Sequence, residues 1–379
     1  MATPWIADHA APLAASAERD LEALAAISTP SGDVAAAEEV VAVASALAPP
    51  QAAIERLPCS SQEHAPDLLL RVAGPGTRRI LLVGHLDTVV PHEGFITPRR
   101  LGTRLRGSGT YDMKAGVALA LGLLRALVGR EELAEVALLL VNDEEWRIGP
   151  FGHVDRFAGF DACLCFEAGE LDPQGHEAVV VRRKSAMSVV VRAHGRAAHS
   201  GSAPDAGVNA LLALAQVAQH VAARHDPHGA DRVTAVPTIF RSGEALNVVP
   251  AAGELTCDLR GDRLEALRAV AASIPEQAGG ARIETRIGRE WPGMDALEAT
   301  TAVLEAAATA AGMPIVGAAR GGASDASHFA ATIPVTIDGL GARGGHAHHP
   351  DEFVDLDSLA PRAQVALAIA EAVLRGTGL

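Results

Sequence analysis

Two histidines and four acidic residues are spaced along the chain as a hydrolytic metal site would need them: His85, Asp112, Glu144, Glu145, Glu167 and His348. Nitrogen and oxygen donors of this kind suit zinc-class divalent ions, and two such ions roughly 3.5–4 Å apart need at least one carboxylate able to bridge them. Asp112 could be that bridge. If each ion also takes one imidazole and one terminal carboxylate, room remains for a shared water, and that water is the nucleophile. Glu144, a spare carboxylate beside Glu145, could accept the proton of the activated water and pass it to a leaving amine.

Each residue has a plainer reading. Asp112 precedes an apolar helix and could serve only as its N-cap. Adjacent acids such as Glu144 and Glu145 are commonly solvated surface. The segment Gly344 to Glu352 holds three histidines, His346, His348 and His349, of which one could ligate. His9, His92, His153, His220 and His228 have no supporting pattern and are read as surface residues. Position is what favours chemistry. His85 follows the apolar run Ile80 to Val83, Glu144 and Glu145 follow Val136 to Val141, and Glu167 follows Asp161 to Phe166. These are carboxyl ends of predicted strands, where open α/β sheets bind ligands. If the first strand continues, His85 and Asp87 point to one side, and Asp87 could accept the second imidazole proton.

Helices predicted at Leu21 to Ile27, Val34 to Leu47 and Lys114 to Val128 alternate with those strands, which argues for an α/β sheet covered on both faces. The middle of the chain changes to β-α-β-β-α-β: strands at Met187 to Ala193, Thr234 to Arg241, Gly253 to Leu259 and Ala281 to Ile287, with helices at Ala206 to Ala223 and Arg263 to Ile274. That order is the split unit of ferredoxin-like domains. After Pro292 the α/β pattern returns, with a helix at Ala299 to Ala311, a strand at Pro334 to Ile337 and a helix at Leu359 to Leu374. The expected fold is therefore a discontinuous α/β domain, residues 1–183 and 290–379, with a central mostly parallel sheet and an inserted α+β domain, residues 184–289.

With 379 residues, the chain exceeds the usual size of one hydrophobic core. A net charge of −14 and the lack of a Lys/Arg run disfavour nucleic acid or an anionic membrane as partner. Met1 to Ser16 lacks a positive n-region followed by an apolar stretch, and no run reaches the about 18 apolar residues that span a bilayer, so a cytoplasmic location is expected. Four scattered cysteines, Cys59, Cys163, Cys165 and Cys257, do not make a disulfide framework. Cys163 and Cys165 alternate within a strand and read as buried thiols.

Six segments in order resemble the signature series of the dizinc aminoacylase/carboxypeptidase metallopeptidases: His85-Leu86-Asp87-Thr88-Val89, Tyr111-Asp112-Met113-Lys114, Asp143-Glu144-Glu145, Ala198-His199-Ser200-Gly201 with Gly207-Val208-Asn209-Ala210, Asn247-Val248-Val249-Pro250, and Ala347-His348-His349-Pro350-Asp351-Glu352. That family includes glutamate carboxypeptidases, acetylornithine deacetylases, succinyl-diaminopimelate desuccinylases and aminoacylases. The resemblance implies two Zn²⁺ per subunit, with Co²⁺ or Mn²⁺ as substitutes. His85 and Glu167 would be terminal ligands of one ion, Glu145 and His348 of the other, and Asp112 the bridge. It implies Glu144 as general base, Asp87 as orienting residue and the inserted domain as a dimerisation domain. His199 would reach the partner subunit's site and stabilise an oxyanion.

Asn247 and Arg289 match positions that hold a substrate carboxylate in carboxypeptidase relatives, and a guanidinium suits that task. Gly321-Gly322-Ala323-Ser324-Asp325-Ala326 resembles the glutamate carboxypeptidase branch most. The resemblance implies a carboxypeptidase that cleaves the amide bond to a C-terminal amino acid with a free carboxylate, its substrate a small peptidyl or N-acyl amino acid; an N-acyl-amino-acid deacylase is the alternative. Two departures stand out, Ala115 where the family usually has Gly and Lys184-Ser185 where Lys-Gly is common. No counterpart of the polar residues that select a glutamate side chain is visible.

Overall fold

The computed structural model describes residues 1–378 and divides into two compact units. The first comprises Met1–Arg182, Asp295–Arg320 and the chain from Ser324 onward; the second comprises Arg183–Met294 and Gly321–Ala323.

The first unit is built on a six-stranded sheet in the order Ala53–Leu57, Asp67–Ala73, Leu133–Val141, Arg78–His85, Ala162–Cys165, Val335–Ile337. The last four of these strands run parallel, and the two pairings on the other side are antiparallel. Its inner strands are near-continuous apolar runs because both faces are covered. Cys163 and Cys165 are among the buried residues of this sheet. The helix Ala115–Leu127 shows the same logic: all of it except Arg125 and Ala126 is buried, so it is a core helix and not a surface helix with one apolar stripe. Helices Pro4–Ala25 and Leu359–Leu374 pack into the same core.

Parallel register levels the site residues. His85 lies opposite Val141, and Val83 lies opposite both Leu139 and Cys165. The segments that follow, Asn142 to Glu145 and Phe166 to Glu167, therefore leave the sheet at one carboxyl edge. A second, small sheet pairs Phe353–Asp355 with Gly344–Gly345 on one side and with Arg104–Arg106 on the other, which ties the three-histidine loop to the segment entering Asp112.

The second unit has a five-stranded antiparallel sheet whose long strands lie in the order Thr234–Ser242, Ala252–Gly261, Ser185–His194, Ala281–Trp291. That is the ferredoxin-like arrangement expected from the element order. Met187, Val189, Val191 and Ala193 alternate inward against helices Ala210–Ala222 and Leu264–Ala272. Asn209 caps the first of these, its side chain accepting from the amides of Leu211 and Leu212 at 3.0 and 3.2 Å.

The structure departs from the sequence expectations at several points. The first helix starts at Pro4, far ahead of Leu21; Pro12 inside it hides a continuous stripe of Ile6, Leu13, Ala17, Leu21 and Leu24 that packs inward. The strands Ala53–Leu57 and Asp67–Ala73 extend the sheet on its antiparallel side. His153 is buried and not a surface residue, because its Nε2 meets the buried Asp67 carboxylate at 2.7 Å.

Ala115 is fully buried, and it is the next residue that has no latitude. A Cβ on Gly116 would lie 1.8 Å from the carbonyl oxygen of Phe166, so the helix after Asp112 approaches the strand before Glu167 through a bare backbone. Gly116→Ala is expected to cost about 3 kcal/mol or more of unfolding free energy. Gly149→Ala, where a Cβ meets nothing within 4 Å, should cost less than about 0.5 kcal/mol. Urea denaturation compares the two, and equal effects would contradict the close approach.

Candidate active site

Asp112 stands between two imidazoles. Its Oδ1 is 3.3 Å from His85 Nε2 and its Oδ2 is 3.1 Å from His348 Nε2. His85 Nε2 also lies 3.8 Å from Glu167 Oε1, and His348 Nε2 lies 3.0 Å from Glu145 Oε1. Donor atoms of His85, Asp112 and Glu167 fall within 4.8 Å of one another, as do those of Asp112, Glu145 and His348, so the two groups share one carboxylate. The other two loop histidines face elsewhere: His349 lies 3.7 Å from Asp351, and His346 packs against His349 and Phe353.

Electrostatics show what the cluster lacks. Hydrogen bonds to Asp112 and Glu145 push the His348 imidazole up to about 10. Burial opposes a charge on His85, yet the Asp112 and Asp87 carboxylates hold it well above the usual range. Burial also opposes charge on Asp112, but its bonds to His348 and His85 keep it below the ordinary carboxylate value. Glu144 goes the other way. Burial raises it well above the usual range against the pull of His85, and the neighbouring charges of Glu167, Asp325 and Glu145 add to the rise. The site thus draws positive charge to its centre, and its imidazole and carboxylate donors are those that zinc-class cations take. The residues fit a divalent metal.

A further group, Cys59, Asp67 and Asp143, is also close enough to hold a cation, but protein donors fill it. Asp143 accepts from the Arg147 guanidinium at 3.0 and 2.9 Å and from the Ser61 amide at 2.9 Å. Asp67 accepts from the Asn142 amide at 2.9 Å and faces His153. This network braces the turn that carries Glu144 and Glu145. The fully buried Arg147 bonds Asp325 as well, at 2.5 and 3.2 Å, and its guanidinium lies over the Phe151 ring, 4.1 Å from the ring centre.

Asp87 sits differently from its sequence expectation. The strand ends at His85, so strand alternation no longer directs residue 87. His85 Nδ1 is closest to the Asp87 main-chain oxygen, at 2.9 Å, with the carboxylate at 3.4 Å. The carboxylate instead accepts from the amides of Glu144 and Glu145, both at 3.1 Å, and from the Ser31 hydroxyl. It therefore ties the histidine strand to the turn bearing the two acids.

His199, Asn247 and Arg289 belong to the second unit. The His199 and Asn247 segments run side by side: the Ser200 amide bonds the Asn247 carbonyl at 3.0 Å, and His199 bridges to Val248. His199 Nδ1 accepts from the amides of Gly201 and Ser202, both at 3.1 Å, which leaves the proton on Nε2 and makes that atom a donor at the exposed edge of the ring. Arg289 stacks on Trp291 with 4.0 Å to the ring centre.

Sequence reasoning passed over Ser31 and Glu352. Glu352 accepts from the amides of Gly109, Tyr111 and Asp112 at 2.8, 2.9 and 3.0 Å, so it grips the loop of the central carboxylate from the loop of His348. Its place at the end of the His348 segment was the available signal. Ser31, in the turn Thr29-Pro30-Ser31-Gly32, offered none, because its partner Asp87 is remote in sequence. Glu352→Gln puts an amide donor against three N–H groups and is expected to weaken metal binding ten- to a hundredfold. Chelator competition measures it, and affinity unchanged within twofold would show that the grip does not position Asp112.

A family model described as "Peptidase family M20/M25/M40" matches residues 81–372. Carboxypeptidase G2 from Pseudomonas sp. (strain RS-16) is 28% identical over 316 residues, covering 78% of this chain and 74% of the relative. Succinyl-diaminopimelate desuccinylase from Gluconobacter oxydans (strain 621H) is 27% identical over 328 residues, covering 81% and 84%. A solved tripeptidase from Staphylococcus aureus shares the fold, with a TM-score of 0.75 at 20% identity over 96% of this chain and 99% of that one. The chain belongs to peptidase family M20/M25/M40 and is a metal-dependent peptidase or amidohydrolase.

Proposed function

We propose that this protein hydrolyses the amide bond to a C-terminal amino acid with a free carboxylate, as a carboxypeptidase, using two zinc ions per subunit. The observation that carries the reading is the Asp112 carboxylate set between two imidazole–carboxylate groups, with the buried Glu144 alongside. His85, Asp112 and Glu167 would hold one ion and Asp112, Glu145 and His348 the other. Zinc bound there would polarise the scissile carbonyl and lower the pKa of a water at neutral pH.

Glu144 takes the proton of the attacking water and delivers it to the leaving amine, a role suited to a carboxylate whose affinity for protons is raised. Asp87 orients His85 and the Glu144 turn together. His199, from a second copy of the chain, donates its Nε2 proton to the oxyanion, while Asn247 and Arg289 hold the substrate carboxylate. The deacylase reading, with an N-acyl amino acid as substrate, is supported by the desuccinylase relative at nearly the same identity. Four free cysteines support a reducing, cytoplasmic setting; no helix among the described residues is long and apolar enough to cross a membrane.

A homodimer is part of the proposal. Thr234–Ser242 is an edge strand of its sheet and exposes Val236, Ile239 and Phe240, while the helix Ala210–Ala222 exposes Leu211 and Leu212. Unpaired edges and apolar surface of this kind are where chains associate.

Glu144→Gln should retain its metal by elemental analysis while kcat falls about 10²–10⁴-fold; undiminished turnover would sink the mechanism. Release of amino acids from peptidyl but not N-acetyl substrates supports the carboxypeptidase, and the converse supports the deacylase. Phe240→Lys should shift the protein to a monomer by light scattering and remove most turnover with its metal content intact. An active monomer would exclude His199 acting between copies.

A further inference from the structure

Beside His348 the first unit has a cavity of about 210 Å³ that no step above uses. Val89, Val90, Pro91 and Pro350 form aliphatic walls, and Gly94 leaves one side bare. Its polar edges are partly engaged. His348 turns Nε2 to Asp112 and Glu145, the Ser108 hydroxyl accepts from the Ile96 amide at 3.0 Å, and Nδ1 of the adjoining His349 accepts from the Asp351 amide at 3.1 Å. Among the described residues, no Lys or Arg lines it. Val89 is exposed at its mouth, and Trp146 and Ile148, in the segment that directly follows Glu145, are exposed as well, so apolar surface gathers around the acid cluster.

A carboxylate entering such a cavity would give up hydration against aliphatic walls, and the charge of the lining His348 is already spent on Asp112 and Glu145. An aliphatic group would lose nothing and would cover the exposed walls. At ~30 Å³ for each water-sized group, the volume takes about seven of them, room enough for a branched-chain substituent. From this geometry we infer that the cavity is a substrate subsite for an uncharged aliphatic group next to the scissile amide. The inference rests on the proposed amide hydrolysis and narrows its substrate class away from glutamyl and succinyl compounds. The group can sit on the acyl side or be the amino-acid side chain; its chemistry is the same.

The test uses metal-loaded, full-length protein in two arms. One lengthens the acyl group from acetyl to butanoyl, 3-methylbutanoyl and succinyl on a fixed amino acid. The other varies the amino acid through alanine, valine, leucine and glutamate under a fixed acyl group. In one arm kcat/KM should rise about fourfold per buried methylene and drop for the charged member, which also identifies the side of the bond.

Gly94→Leu fills the cavity. A Cβ there meets Val90 at 3.5 Å and Pro91 at 3.7 Å, ordinary contact distances, so the fold should tolerate it. It should collapse the ratio between long and short substrates at least tenfold, and Val90→Thr, which keeps the volume and adds a hydroxyl, should reduce it severalfold. Calorimetric titration with the product acids and free amino acids reads the same preference without turnover. A preference that is flat, favours the charged members or survives Gly94→Leu overturns the subsite and leaves the hydrolase reading standing. Absence of turnover in both arms sinks the hydrolase reading, and titration without an aliphatic preference then removes the subsite too.

Discussion

Several carboxylates held within a few ångströms of one another repel, and the first unit is organised around offsetting that repulsion. Asp112, Glu144, Glu145 and Glu167 meet at one sheet edge with only two imidazoles among them. Backbone amides do much of the holding. The amides of Glu144 and Glu145 point at Asp87, and those of Gly109, Tyr111 and Asp112 point at Glu352. Each acid of that outer pair is thus fixed by dipoles that cannot rotate away, and charge-assisted bonds of this type are about twice as strong as neutral ones. What remains unbalanced is the centre, where a divalent cation fits.

The same constraint explains groups that take no part in the proposed chemistry. The buried Arg147 sits one turn from the acid pair and is shared by Asp143 and Asp325, its proton held more firmly than usual by those charges against the cost of burial. Lys114 is buried two residues after Asp112 and bonds the Ile27 carbonyl at 2.7 Å; burial brings it down to about 7 despite the pull of Glu352 and Asp87. Removing one partner from such a buried set leaves a stranded charge, which costs more than the pair contributes. These residues make the loops around the site into one braced body.

Bracing of this kind suits a site that must hold its ligands before any substrate arrives. The core helix Ala115–Leu127, apolar on every side, anchors the loop that precedes it against the sheet. Val89, Trp146 and Ile148 leave apolar surface exposed in segments close in sequence to these ligands.

Local pattern settled a good deal. Apolar runs ending in His, Glu-Glu and Glu mark strands and their carboxyl ends, because side-chain burial on a two-faced sheet needs uninterrupted hydrophobic residues. The β-α-β-β-α-β order of the middle segment was likewise readable, since each element has its own period. The helix from Pro4 was hidden because Pro12 looks like a break, and His153 looked exposed because its partner Asp67 lies 86 residues away.

Tertiary structure alone decided the pairings: Ser31 with Asp87, Glu352 with the Asp112 loop, Arg147 with Asp325, and the Asp87 main-chain oxygen against His85. The reason is physical. Composition and period determine which residues are buried and which strand ends they occupy, whereas a hydrogen bond between remote segments depends on distances that exist only once the sheet has set its register.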